Sequence, residues 1–302
     1  MNGIVWLASY PKSGNTWFRS FLTNLVRDGD EPVHINDMDG GPIASSRPLF
    51  DDVVGYDSAD LTPEEAERLR PEVYLHTARR AEETLFCKVH DACTSIPGVG
   101  PLFPAEATRG VIYLVRNPLD VCISFSHHNG HQNLNRTIRQ MEDPEFTLAR
   151  SRESQANQLP QRLLTWSGHV TSWIDAPNLK VHVVRYEDMK LRTEETFTMA
   201  ARFAGLPDSP DRIRKAIAFS SFDELKKQEE KDGFAEKMPR ARSFFRKGEA
   251  GAWRETLSQS QVSRITKAHG PVMRRLGYLD AEGLVPGQPV DTVHRAGDTR
   301  SS

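Results

Sequence analysis

The chain has little cysteine, no long apolar run and no excess of charge, and each shortage removes a class of function. Its three cysteines, Cys87, Cys93 and Cys122, lack CxxC spacing. That argues against a disulfide framework or a metal centre and favours a reducing compartment. No stretch approaches the roughly eighteen consecutive apolar residues of a membrane span. The N-terminal apolar run is short and has no basic segment before it, so no signal peptide is expected. With 39 Lys+Arg against 41 Asp+Glu, there is no bulk attraction for nucleic acid or anionic lipid, and any anion site has to be local. There is no internal repeat. These absences leave a soluble, cytoplasmic chain of 302 residues, long enough to bury a proper core and expected to take no nucleic-acid or membrane partner.

What is present is an alternation of strand and helix signals. Runs at 3–9, 83–89, 110–116 and 180–186 are short, apolar or β-branched, and end in polar or turn residues. Helical spacing appears at about 16–28, 62–81, 118–128, 159–176, 193–205, 209–230 and 258–276. This order predicts an α/β fold, one domain over 1–280 with a central parallel sheet of four to five strands and helices on both faces. Segments 29–61, 129–158 and 231–255 read as long loops of the kind that form lids or binding walls. Residues 281–302 turn to Gly, Pro, Asp, Thr and Ser and read as a flexible tail.

Four segments carry candidate chemistry, three of them at the ends of strands and one in a loop. Between the first strand and its helix lies Pro11-Lys12-Ser13-Gly14-Asn15-Thr16-Trp17. Helix-start N–H groups lack intrahelical partners, so such a turn cradles an anion, with Lys12 adding a full charge. The order is not that of a Walker A loop, because the lysine precedes the glycine. The strand 110–116 runs into Arg116, with Ser124 two turns into the following helix. Arg116 is a bidentate phosphate ligand there, or alternatively a structural partner of Asp120. Lys88 and His90 share one side of a strand end, a cation beside a general-base candidate. Arg246-Lys247-Gly248 sits in a basic, glycine-containing loop suited to close over a phosphate.

Together these segments resemble the PAPS-dependent sulfotransferases, which move a sulfuryl group from 3′-phosphoadenylyl sulfate (PAPS) to an acceptor and release adenosine 3′,5′-bisphosphate (PAP). Tyr10 to Trp17 is similar to that family's 5′-phosphosulfate loop, Tyr113 to Ser124 to its 3′-phosphate strand and helix, and Phe245 to Trp253 to its closing loop. Lys88-Val89-His90 resembles its lysine and catalytic histidine. Trp166-x-x-His169-Val170-x-x-Trp173 and Arg185-Tyr186-Glu187-Asp188-Met189 add two further matches, in order along the chain. The resemblance implies a P-loop-like fold with catalytic His90, Lys12 and Lys88. It implies donor contacts from Lys12, Ser13, Gly14, Asn15, Thr16, Trp17, Arg116, Ser124, Arg246, Lys247 and Gly248. Around the adenine it implies Trp17, Tyr186, Ser220 and Phe222. It calls for PAPS as co-substrate, a small-molecule hydroxyl or amine as acceptor, and no metal. The animal members' dimerisation pattern is not recognisable at 254–263, so both monomer and homodimer stay open. Alternatives are a nucleotide-dependent phosphotransferase, and a non-catalytic nucleotide-binding protein of the same fold.

Overall fold

The fold is described from a computed structural model, for residues 3–38, 43–150, 156–237, 243–245 and 248–283. In chain order its elements are β1 (Ile4–Ser9), α1 (Asn15–Arg27), α2 (Arg47–Val54), α3 (Pro63–Arg80), β2 (Leu85–Val89), β3 (Ser95–Ile96), β4 (Gly100–Pro101), β5 (Thr108–Val115) and α4 (Pro118–His128). They continue with α5 (Leu134–Glu142), β6 (Thr147–Leu148), β7 (Gln161–Arg162), α6 (Trp166–Ile174), β8 (Val181–Arg185), α7 (Tyr186–Leu191), α8 (Thr193–Ala204), α9 (Pro210–Phe219), α10 (Phe222–Asp232), α11 (Trp253–Thr256) and α12 (Gln259–Arg275). The four longest strands form one parallel sheet in the order β2-β1-β5-β8, the low end of the expected strand number. No described helix is long and apolar enough to cross a membrane.

Strand alternation divides the core between the two sheet faces. Trp6, Ala8, Val111 and Tyr113 point to the side covered by α3, α4, α6 and α12. Val5, Leu7, Ile112 and Leu114 meet Phe18, Phe21, Phe197 and Ile213 from α1, α8 and α9. A stretch of strand buried on both faces must be largely apolar, as residues 4–8 of β1 and 110–115 of β5 are. All four strands therefore deliver their carboxyl ends to one edge, where parallel sheets with helices on both faces bind ligands.

Several helical expectations need redrawing. The pattern at 209–230 is two helices, because Ser221 leaves helical geometry and accepts a hydrogen bond from Glu224 N to start α10. The pattern at 159–176 shortens to α6, since Leu164 sits at φ 60° and Thr165 caps the helix through Gly168 N. The segments read as loops at 29–61 and 129–158 contain α2 and α5. Residues 284–302 of the expected tail lie outside the described residues.

Behind the ligand edge the end of β2 is locked in place. Arg70 makes a two-pronged pair with Asp91 at 2.7 and 2.8 Å, both side chains almost fully buried. Trp173 Nε1 donates to Asp91 O at 2.9 Å. Removing one partner of a buried pair leaves an uncompensated charge, at a cost of about 3–5 kcal/mol. Asp91→Ala should lose roughly that much in urea denaturation, and a loss below about 1 kcal/mol would mean that the pair is not a major prop of this edge.

Candidate active site

The turn after β1 is shaped by two left-handed residues, Lys12 at φ 71° and Gly14 at φ 97°. That conformation is unfavourable for lysine, and strain of this kind collects at functional sites. Gly14 has a second reason to be glycine, because a Cβ there would lie 2.8 Å from the Tyr186 ring. Asn15 does not face outward. Its Nδ2 donates to Leu7 O and Ser9 Oγ, tying the turn back to β1.

A cavity of about 460 Å³ opens at the sheet edge. Lys12, Gly14, Asn15, Thr16, Trp17, Lys88, His90, Arg116, Ser124, Tyr186, Phe222 and Gly248 all line it. Residues from four strand ends and the glycine loop thus line one cavity. Ser13 is fully buried beneath the turn. Ser220 is drawn elsewhere: it is fully buried and its hydroxyl donates to Ala216 O on its own helix. Arg246 and Lys247 lie outside the described residues.

His90 is held by three bonds behind the ring. Its Nδ1 donates to Ser9 O at 2.8 Å, so the remaining ring nitrogen, Nε2, carries the lone pair. Its own carbonyl accepts from His169 Nε2 at 3.0 Å, and His169 Nδ1 accepts from Tyr113 OH at 2.8 Å. Burial and the neighbouring Lys88 charge hold His90 well below the ordinary histidine pKa. It is therefore neutral at pH 7 and able to take a proton.

The cations around it are crowded. Burial, followed by repulsion from Lys88 and Arg116, lowers Lys12 to about 7. Its Nζ lies 3.7 Å from the Phe244 ring centroid, a cation–π contact that partly replaces water. Lys88 Nζ meets Glu236 at 2.8 Å, and Arg19 meets the same carboxylate at 2.6 Å. Burial works against ionised Glu236, but Lys88 and Arg19 outweigh it and hold the carboxyl at about 2. Arg116 lies over the Tyr186 ring and donates to Glu249 O at 2.7 Å.

Asp120 is not the partner of Arg116. Its carboxylate accepts Gly251 N at 2.7 Å and Trp253 N at 3.1 Å, anchoring the loop that ends at α11. Tyr186 OH donates to Gly248 O at 2.9 Å, and a Cβ on Gly248 would strike the Phe222 ring at 2.5 Å. Sequence reasoning missed Glu236, Phe244, Arg19 and this role of Asp120. Only Asp120 carried a signal, an acid in the first turn of a helix beginning at the site.

Ser13 Oγ, Trp17 Nε1 and Arg116 Nε are buried donors without a partner among the described residues. Buried polar groups are nearly always paired, so the two of these donors on residues that line the cationic cavity, Trp17 and Arg116, fit an anionic ligand that completes them.

The comparisons agree with this geometry. A family model described as a sulfotransferase domain matches residues 3–277. Sulfotransferase 2A2 of Mus musculus is 26% identical over 266 residues, covering 86% of this chain and 81% of its own. Cytosolic sulfotransferase 15 of Arabidopsis thaliana is 29% identical over 271 residues, covering 86% and 69%. Among solved structures, a retinol dehydratase in complex with retinol and PAP is similar at TM-score 0.59 and 20% identity, over 91% of this chain and 82% of that one. A mouse sulfotransferase complexed with PAP gives TM-score 0.54 at 19% identity, over 92% and 86%. These structural likenesses establish the fold.

The lowered Lys12 has a consequence for stability. Lysine holds its proton less tightly in the folded chain than in the unfolded one, so between about pH 7 and the ordinary lysine value of about 10.4 stability gains with rising pH. Lys12→Met removes that dependence. Its melting temperature should exceed that of the wild type most at pH 7, with the gap closing toward about pH 10. A gap independent of pH would mean Lys12 titrates as an ordinary lysine.

Proposed function

The chain belongs to the sulfotransferase domain family, and we propose that it transfers a sulfuryl group from PAPS to a hydroxyl or amine of a small-molecule acceptor, with His90 as general base. One observation carries the reading. His90 presents a neutral, tautomer-fixed Nε2 in the same cavity as Lys12, Lys88 and Arg116. The family and the relatives give no support to the phosphotransferase alternative. Relatives named cytosolic sulfotransferases support a cytoplasmic setting.

The donor supplies an activated sulfuryl group next to a phosphate. Lys12 and the N–H groups of the turn at Ser13 to Trp17 would hold that end, and Lys12 would balance the negative charge that grows on the leaving oxygen. Stabilisation by charges already in place is commonly the largest single contribution to such catalysis. Lys88, paired with Glu236, would face the sulfuryl oxygens. Arg116 and Ser124 would grip the 3′-phosphate, with Arg246, Lys247 and Gly248 closing over it. Trp17, Tyr186 and Phe222 would enclose the adenine, and Ser220 would support that wall from beneath. His90 would accept the acceptor's proton at Nε2.

The direct test is transfer of radiolabelled sulfate from PAPS into a metabolite extract, followed by mass identification of the product. Absence of any labelled product, with PAP binding intact, would favour a binding-only protein. His90→Ala should lower kcat by about 10²–10⁴ with PAP affinity unchanged, since a positioned base contributes that much. Retained turnover would place the base elsewhere, and His128, which lines the same cavity, would be examined next.

A separate prediction concerns the 3′-phosphate. Arg116→Ala removes a charge-assisted bond of about 1.5–3 kcal/mol. Titration calorimetry should show weaker PAP binding and nearly unchanged binding of adenosine 5′-phosphosulfate, which lacks that phosphate. Equal weakening of both would remove Arg116 from the 3′-site.

A further inference from the structure

A second cavity, of about 370 Å³, adjoins the first along a shared wall of Asn129, Leu148 and Ala149. Its chemistry is different. Arg136 and Arg150 line it, no carboxylate is among its described lining residues, and neither arginine forms an ion pair with a described residue. Among the described carboxylates nearby in sequence, Glu142 pairs with Arg264, Glu145 pairs with Arg162, and Asp143 accepts Glu145 N.

His131, which also lines this cavity, supplies an independent sign. Its Nδ1 accepts Asn133 N at 3.0 Å, so its proton sits on Nε2. That N–H is buried and has no partner among the described residues. Gln140 Oε1, in the same wall, is likewise buried and unpartnered. A buried N–H without an acceptor is costly and uncommon. Two guanidinium groups with no ion pair to a described residue, and an orphan donor, around one concavity describe a receptor for an oxyanion.

Taking the first cavity as the sulfuryl-transfer site, we propose that the acceptor is itself an anion. Its hydroxyl sits at His90, and a remote carboxylate or phosphate-type group reaches over the Leu148–Ala149 wall to Arg136, Arg150 and His131. The physiological acceptor is then an amphipathic hydroxy acid or phosphate ester, and neutral sterol-like alcohols are poor substrates. Coulomb attraction at this entrance also draws such acceptors toward a site that already carries a cationic donor cradle.

The test uses the full-length protein saturated with PAP and titration calorimetry with 4-hydroxyphenylalkanoic acids of increasing chain length. Their phosphonate analogues separate carboxylate from phosphate preference, and their methyl esters serve as neutral controls. At the chain length that reaches the second cavity, the anion should bind roughly ten- to hundredfold more tightly than its ester, the worth of a charge-assisted contact. The double variant Arg136→Gln/Arg150→Gln should abolish that preference and leave ester binding as it was. Esters binding as tightly as the anions at every length would overturn the proposal. So would a preference surviving in the double variant, or no anion binding in the millimolar range. Failure to bind PAP at all would strike at the sulfotransferase reading instead, which keeps the two outcomes separate.

Discussion

Four cationic side chains held close together and partly out of water need a reason to stay in place, and that need organises the site. Lys12, Lys88, Arg116 and Arg19 come from three stretches of chain, Lys12 and Arg19 from the β1 turn and α1, Lys88 from β2 and Arg116 from the end of β5. The parallel register brings the ends of β1, β2 and β5 to one edge, so their positive charges cannot avoid each other. Two devices relieve the strain. Glu236 bridges Lys88 and Arg19, and the Phe244 ring covers the Lys12 ammonium. What is left unrelieved, Lys12 near neutrality and Arg116 with an orphan Nε, marks where a bound anion contributes most. A group that half-loses its proton when empty regains it beside an anion, so ligand binding draws in a proton near pH 7.

The molecule divides into a rigid back and a front tied by lighter contacts. Behind His90 stand the Arg70–Asp91 pair, Trp173 and the Tyr113–His169 relay, all buried; Arg70 holds the Asp91 carboxylate, and Trp173 and His169 hold the carbonyls of residues 91 and 90. In front, two carboxylates hold segments by their backbone N–H groups. Asp120 takes Gly251 and Trp253, and Glu229 takes Phe244 and Phe245. A carboxylate accepting two N–H bonds satisfies a turn without using side chains of that turn. Between these anchors Gly248 O accepts from Tyr186 OH and Glu249 O from Arg116, so cavity side chains hold this stretch too.

Much of this was legible in the sequence because it is local. Strand runs, the Pro-Lys-Ser-Gly turn and the lysine–histidine pair all lie within short windows, and their spacing alone places them at strand ends. The helices α2 and α5 were within reach too. Ser46-Arg47-Pro48 is a cap followed by proline in the first turn, and Ile138 and Met141 bury one face of α5. Reading those segments as loops gave too much weight to their glycine and polar content. Glu236 could not have been found this way, because its partners lie 148 and 217 residues away in sequence. Nor could the burial of Ser220, which follows from how α9 ends and not from its residue type.

The acceptor side is built on a different principle from the donor side. β2 is an edge strand of the sheet, and an edge leaves backbone groups unpaired. Here the edge is covered: Ala44 N donates to Lys88 O, Leu159 N donates to Ser45 O, and Arg47 N donates to Asn157 O. Segments 43–47 and 156–161 are thereby zipped to each other and to the strand that carries Lys88 and leads into His90. Residues from both, among them Ile43, Gln158 and Gln161, line the cavity beside the base. Their side chains take no part in the zipper's backbone bonds, so they can vary while the backbone stays fixed to the catalytic strand. Acceptor choice can therefore change through Ile43, Gln158 and the Leu148–Ala149 wall without moving His90, whereas the donor cradle has no such freedom, since its geometry is the geometry of the sheet itself.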